Sequence, residues 1–424
     1  MAKMEFGELD QYLFGQATHY DIYKKLGAHP VTQNGKSGTY FAVWAPGARR
    51  VSVVGDFNYW NGMLYPMHKM ENSDIFELFI PGLSCGQFYK FEIKNVQGDI
   101  IQMVDPYAVM NEEKENGASR MFDLGRFRWE DSRWLSKRYH GNVFKIPMSV
   151  CEVRISELDS PDEKVQEIVQ DMGHTHILLR GTPERAKLGV ERGFFEPAFY
   201  GNTPDTMRFF VNRSHKRNIG VMLEISPEYL TRAVHLFEKK HPQAVNYLLA
   251  NILFWIKEYH IDGFVFRGLS ENSSDFLEKA KEVIKKEDNS VLFIGEEIKG
   301  KQTRDFFDFE WNMELKAGVE EYLGTDFEKR QGKYFCLSQP LMKGDFSNTL
   351  LLLNKEKSNL FDESLIDKKP SCDYDKLTGV RMSYGYLMGV PGRKAWDLHS
   401  HENISSQEYV KSLIRIYQEY PALY

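Results

Sequence analysis

The sequence predicts a multidomain chain in which a small immunoglobulin-like β-sandwich precedes a (β/α)8 barrel, and three observations carry that expectation. At 424 residues the chain is longer than one hydrophobic core usually supports. Residues 39–124 read as short strands at regular spacing, separated by Pro-Gly, Asn-Gly and Gly-rich turns. From Pro147 onward the pattern changes to apolar runs alternating with amphipathic helices, the signature of repeated βα units. The expected divisions are residues 1–30 as a lead-in, 31–125 as the sandwich and 126–424 as the barrel, with no further domain after it.

In the sandwich the expected strands are Thr39–Trp44, Arg50–Val54, Ile75–Ile80, Phe88–Lys94 and Ile100–Met103. In the barrel, Met148–Val153, His176–Leu179, Ile219–Ile225, Val291–Ile294 and Asn348–Leu353 read as strands. Helices are expected near Pro161–Met172, Pro204–Arg217, Pro242–Tyr259 and Asp275–Lys286. Right-handed crossovers are the default between parallel strands. Gln407–Glu419 closes the chain as an amphipathic helix through Tyr409, Val410, Leu413, Ile414 and Tyr417.

Composition narrows the function. With 54 basic and 60 acidic side chains the net charge is −6, which offers no footprint for nucleic acid or an anionic membrane. Cys85, Cys151, Cys336 and Cys372 show no CxxC spacing, so neither zinc nor a disulfide framework is indicated, and a reducing cytoplasm is the simplest setting. No run approaches the roughly 18 apolar residues of a membrane span, and the first residues lack a signal peptide's apolar stretch. The histidines His174, His176, His215, His235, His241 and His260 share no ligand face, and His399 with His401 lies in a loop, so no metal or other cofactor is expected. Glu278–Asp288 reads as a solvated helix face.

One stretch organises the rest: His260-Ile261-Asp262-Gly263-Phe264-Val265-Phe266-Arg267-Gly268-Leu269 reads as a buried strand with a cation at its far end. In a parallel barrel that end is where chemistry sits. Trp44, Trp60, Tyr89 and Lys90 supply a possible ring-and-donor surface on the sandwich. Large aromatics on alternating strands usually face inward, which favours core placement for Trp44 and Tyr89, whereas Trp60 falls in the turn-rich Gly55–Gly62 loop.

Several motifs together resemble bacterial 1,4-α-glucan (glycogen) branching enzymes. They are His19-Tyr20-Asp21-Ile22-Tyr23-Lys24-Lys25-Leu26-Gly27-Ala28-His29-Pro30, Phe41-Ala42-Val43-Trp44-Ala45-Pro46, Val53-Val54-Gly55-Asp56-Phe57-Asn58 and Asp105-Pro106-Tyr107-Ala108. The likeness continues through Asn251-Ile252-Leu253-Phe254-Trp255, Trp311-Asn312-Met313, Tyr384-Gly385-Tyr386, Pro391-Gly392 and Pro421-Ala422-Leu423, and stops where that family's C-terminal β-domain would begin. The resemblance implies an α-amylase-type barrel behind a carbohydrate-binding β-sandwich, with Trp44, Trp60 and Lys90 as candidate sugar contacts. It also implies retaining transfer of an α-1,4 fragment to a 6-hydroxyl. That chemistry needs a nucleophilic carboxylate and an acid/base carboxyl about 5 Å apart.

The family's nucleophile motif, Asp-Gly-Leu-Arg-Val-Asp-Ala-Val, aligns without a gap on Asp262 to Leu269, so Arg267 stands where the resemblance implies the nucleophile. Asp-Trp-Val-Pro-Ala-His becomes Glu224-Ile225-Ser226-Pro227-Glu228-Tyr229, which replaces the buried Asp by Glu224 and the substrate-contacting His by Tyr229. Ser-His-Asp-Glu becomes Asn354-Lys355-Glu356-Lys357, with Lys355 and Glu356 at the His and Asp positions. Glu296, in Gly295-Glu296-Glu297, retains the acid/base position. The sugar-stacking loop is altered over Arg185–Arg192, and the excursion Leu230–His241 is short.

The expectation is a catalytically degenerate homologue that binds glycogen or another α-glucan, or a partner enzyme of glycogen metabolism. Two alternatives stand beside it. One is an active branching enzyme or hydrolase using relocated carboxylates among Glu224, Glu228, Glu296, Glu297 and Glu356; the other is a protein-interaction module without glucan binding. In the favoured reading Glu296 pairs with Arg267 and fills the old cleft.

Overall fold

The computed structural model describes residues 6–112, 117–142, 145–155, 163–181, 194–197, 203–225, 242–268, 274–296, 306–312, 318, 321–322, 333, 335–341, 349–353, 381, 384–397 and 404–424. The chain forms two compact units: residues 1–128 with 181–209 and 228–260, and residues 129–180 with 210–227 and 261–424.

The first unit contains the sandwich. One sheet has the order β1-β2-β5-β4, made of β1 (Gly27–Gln33), β2 (Lys36–Trp44), β5 (Ile75–Pro81) and β4 (His68–Lys69). The other runs β3 (Ala48–Gly55), β6 (Phe88–Asn95) and β7 (Ile100–Met103), with β8 (Ser119–Arg120) also on β6. Strand alternation turns Phe41, Val43, Val51, Val53, Phe76, Tyr89 and Phe91 into one shared core. The expected strands start at Thr39, and the structure adds β1 ahead of them. Asn34 and Gly35 both take positive φ (49° and 77°), which closes a two-residue hairpin between β1 and β2. Asp105 of the Asp-Pro-Tyr motif accepts from the Tyr89 hydroxyl at 2.5 Å and the Tyr107 amide at 2.8 Å; burial, only partly countered by these bonds, pushes its carboxyl up to about 6.

The second unit holds a closed barrel of eight parallel strands in chain order: β9 (Ser149–Arg154), β10 (His176–Arg180), β11 (Gly220–Ile225), β12 (Gly263–Phe266), β13 (Leu292–Glu296), β14 (Phe309–Asn312), β15 (Thr349–Leu353) and β16 (Arg393–Asp397), which returns to β9. Its interior is packed with Met148, Val150, Leu178, Met222, Val265, Leu292, Ile294, Phe309, Trp311 and Ala395. Side chains alternate along a strand, so this apolar set fixes which later residues also point inward.

Two glycines show how tightly the strands pack. A Cβ on Gly263 would lie 2.7 Å from the Leu292 Cβ, and one on Gly295 would lie 2.2 Å from the Phe307 ring. Gly295→Ala is therefore expected to overpack β13 and cost about 1–3 kcal/mol. A shifted urea midpoint at unchanged slope would report it, whereas an unchanged midpoint would mean that Phe307 yields freely.

The opposite end of β12 begins with a buried charge cluster. Asp262 is 1% exposed and accepts from Trp134 Nε1 at 2.8 Å, Arg138 Nη1 at 2.6 Å and the Val221 amide at 2.6 Å. His215 bridges Asp262 and Asp131 at 2.9 Å and 2.8 Å, with the Trp134 ring stacked on it. The helix Ser132–His140, which carries Trp134 and Arg138, was not anticipated from the sequence.

Candidate functional site

At the C-terminal end of the barrel the inward positions become charged. Glu152, Arg180, Glu224, Arg267 and Glu296 each stand two residues beyond an interior apolar residue: Val150, Leu178, Met222, Val265 and Ile294 respectively. They form the next layer of the barrel, with the Trp311 ring beneath Arg267.

Within this layer two guanidinium groups and two carboxylates close a ring. Arg267 Nη2 donates to Glu152 Oε1 at 2.6 Å, and Arg180 Nη1 donates to Glu152 Oε2 at 3.2 Å. Arg180 Nε donates to Glu224 Oε2 at 2.7 Å, and Arg267 Nε lies 3.5 Å from that same oxygen. The Glu152 side chain is 1% exposed and the other three are 12–15% exposed. Burial makes such charges costly unless each is matched, which this ring does. The Arg267 guanidinium also sits 4.3 Å from the centre of the Trp311 ring, close enough for a cation–π contact.

This corrects the expected partner of Arg267. Its salt bridges run to Glu152 and Glu224, while Glu296 Oε2 instead accepts the Gly268 amide at 2.8 Å. Register alone would set Arg267 beside Glu296, since Phe266 lies opposite Gly295 on β13; the more deeply buried Glu152, with Glu224, takes the guanidinium, and the Glu296 carboxylate turns to a backbone amide. Glu152 and Arg180 belong to the paired strands β9 and β10, and Glu224 and Arg267 close the neighbouring pair β11 and β12. Sequence reasoning missed Glu152, Arg180 and Trp311. A lone Glu within the apolar run Ser149–Val153 was the available signal, because a charge inside a strand core requires a counter-charge.

Chemically, a guanidinium stays protonated and offers no lone pair for attack on a sugar carbon. Glu152 and Glu224 are both held between two cations. Tyr229, Lys355 and Glu356, with Glu228 and Glu297, lie outside the described residues. Among the described residues no group of three His, Cys, Asp or Glu side chains converges to hold a metal, and no helix is long and apolar enough to cross a membrane.

The sandwich residues fall in different places. Tyr89 is 1% exposed in the core. Trp44 alternates with the core residues Phe41 and Val43, half-buried with Phe14 edge-on at 5.8 Å. Lys90 stands on β6 in the other sheet, opposite Val54. Trp60 is half-buried and donates its indole N–H to Asp56 at 2.8 Å.

Comparison with known proteins agrees with this architecture. Residues 25–108 match carbohydrate-binding module 48, the isoamylase N-terminal domain. A pullulanase from Bacillus acidopullulyticus superposes with a TM-score of 0.69 at 15% identity, covering 94% of this chain and 63% of that one. A pullulanase from Paenibacillus barengoltzii complexed with maltotetraose gives 0.71 at 15% identity, covering 94% and 81%. The class is thus a sandwich of the carbohydrate-binding module 48 type followed by a (β/α)8 barrel with the fold of these pullulanases.

Sequence similarity narrows the class. A 1,4-α-glucan branching enzyme of Butyrivibrio fibrisolvens is 30% identical over 521 positions, spanning 100% of this chain and 81% of that protein. Another from Gloeobacter violaceus is 30% identical over 515 positions, spanning 98% and 70%. The chain belongs to the 1,4-α-glucan branching enzyme family. Because the first alignment runs over 521 positions against 424 residues here, the relative carries segments with no counterpart in this chain.

Proposed function

We propose that this chain is a branching-enzyme homologue that binds α-glucan, with glycogen the natural candidate, but does not branch it. On this reading it serves glycogen metabolism in the cytoplasm as a scaffold or regulator, alone or with a partner enzyme. Family membership and the carbohydrate-binding module support a glucan-related role. The observation that carries the non-catalytic part is Arg267, locked by Glu152 and Glu224 at the strand end where the family resemblance implies the nucleophile. A cation there would repel a developing oxocarbenium ion as well as fail to attack it.

Relocated catalysis is the competing reading, since Glu152, Glu224 and Glu296 all occupy the same layer. The first two already neutralise guanidinium groups, which leaves Glu296 without a free carboxylate partner in the ring. Amylose incubated with the purified chain should keep its iodine colour and gain no α-1,6 linkages, while the chain pellets with glycogen. Branching by the wild type that disappears in Glu296→Gln would overturn the non-catalytic reading. Failure to pellet with glycogen would remove the glucan role and leave a protein-interaction module.

A further inference from the structure

We infer that the α-glucan contact of the sandwich is centred on Tyr59, in the loop after β3, an inference that rests on the glucan-binding reading above. Tyr59 is 90% exposed, the most exposed large apolar side chain among the described residues. Met63 and Leu64, in the same loop, are 70% and 55% exposed. A bare tyrosine ring with aliphatic neighbours matches the C–H face of a pyranose, whose hydroxyls then remain free for polar partners.

The loop is built to hold the backbone that carries that ring. Tyr59 and Trp60 take successive left-handed φ values of 55° and 57°, a region that bulky residues rarely occupy without support. Asn58, 1% exposed, provides the support: its Oδ1 accepts the Gly55 amide, and its Nδ2 donates to the Val53 and Asn61 carbonyls. The Trp60 amide donates to the Gly55 carbonyl, and its indole is tied to Asp56. A contact ordered before binding loses less conformational freedom when ligand arrives.

The same loop overlies a polar face. A Cβ on Gly62 would meet the Glu92 carboxylate at 2.0 Å, and Arg50 donates both to Glu92 and to the Met63 sulfur. Lys90, two residues before Glu92 on β6, shares that face by strand alternation and adds an ammonium donor for sugar hydroxyls. Trp44 belongs to the other sheet and already packs edge-on against Phe14, so Tyr59 displaces it as the leading ring.

Glycogen co-sedimentation and mobility in glycogen-containing native gels, using the full chain, test the assignment. Tyr59→Ala is expected to weaken glycogen binding about tenfold, and Tyr59→Phe, which keeps the ring, to stay within about twofold. Because Tyr59 is almost fully exposed, both variants should melt with the wild type. If wild type pellets and Tyr59→Ala pellets equally well, the Tyr59 platform is wrong while glucan binding stands. An equal loss in Tyr59→Phe would move the contact from the ring face to the hydroxyl and also overturn the stacking assignment. If wild type itself does not pellet, the glucan reading falls and takes the platform with it.

Discussion

Arg267→Ala is expected to lower the stability of the barrel by about 3–5 kcal/mol, the range found when one partner of a buried ion pair is removed. The loss comes less from the missing attraction than from what stays behind. Glu152, with its side chain 1% exposed, would keep only Arg180 among the ring's cations, and Glu224 would lose the nearby Arg267 Nε. The Trp311 ring would also lose the cation above it. A double-mutant cycle separates these effects: Glu152→Ala added to Arg267→Ala should recover part of the loss, because it removes the orphaned carboxylate. Urea midpoints at neutral pH report both changes. A single-mutant loss below about 1 kcal/mol, the usual worth of an exposed ion pair, would show that the ring is solvated and does not hold the barrel mouth.

How much of this ring the sequence disclosed depends on the range of the interaction. Arg267 was legible because its own strand sets it: the apolar run after Asp262 ends on the cation, and barrel geometry says where strand ends point. Its partner was illegible because Glu152 lies 115 residues earlier in the chain, and their meeting depends on the stagger of four strands. Glu296 was the nearest carboxylate in motif terms, yet a backbone amide, which no side-chain pattern reveals, takes its oxygen.

The sandwich divides the same way. Asn34-Gly35 carries a legible hairpin signal, since both residues tolerate the positive φ that a two-residue turn requires. Tyr59 could not be singled out by pattern, since its exposure follows from two left-handed residues that the sequence Tyr-Trp would ordinarily avoid. Local hydrogen bonds from Asn58 overrode the propensity.

Asp262→Asn is expected to cost about as much as the loss of Arg267, and its cost should depend on pH in a defined way. Burial alone would raise the Asp262 carboxyl, but the charges of His215 and Arg138 and the hydrogen bonds from His215 and Trp134 outweigh it and hold the group below the usual carboxylate range. Burial likewise works against charged His215, yet Asp262 and Asp131 push its imidazole up. An acid lowered by folding adds stability above its unfolded pKa of about 3.9 and loses it as pH falls; a base raised by folding adds stability below about 6.5 and loses it as pH climbs through its folded value. The two contributions overlap between about pH 4 and 6.5. His176 opposes them at the acid end, because burial pushes it down to about 4, so protonation of the unfolded chain already erodes stability as pH drops below about 6.5. Above about pH 4 that erosion is common to wild type and variant and cancels in their difference; below it the two diverge, because the Asp262 charge partly holds His176 up. The stability gap between wild type and Asp262→Asn should therefore be widest in the overlap window and narrow on both sides, by urea titration at a series of pH values. A gap constant from acid to alkaline pH would mean that Asp262 holds the base of the barrel through neutral hydrogen bonds, with His215 never carrying the charge assigned to it.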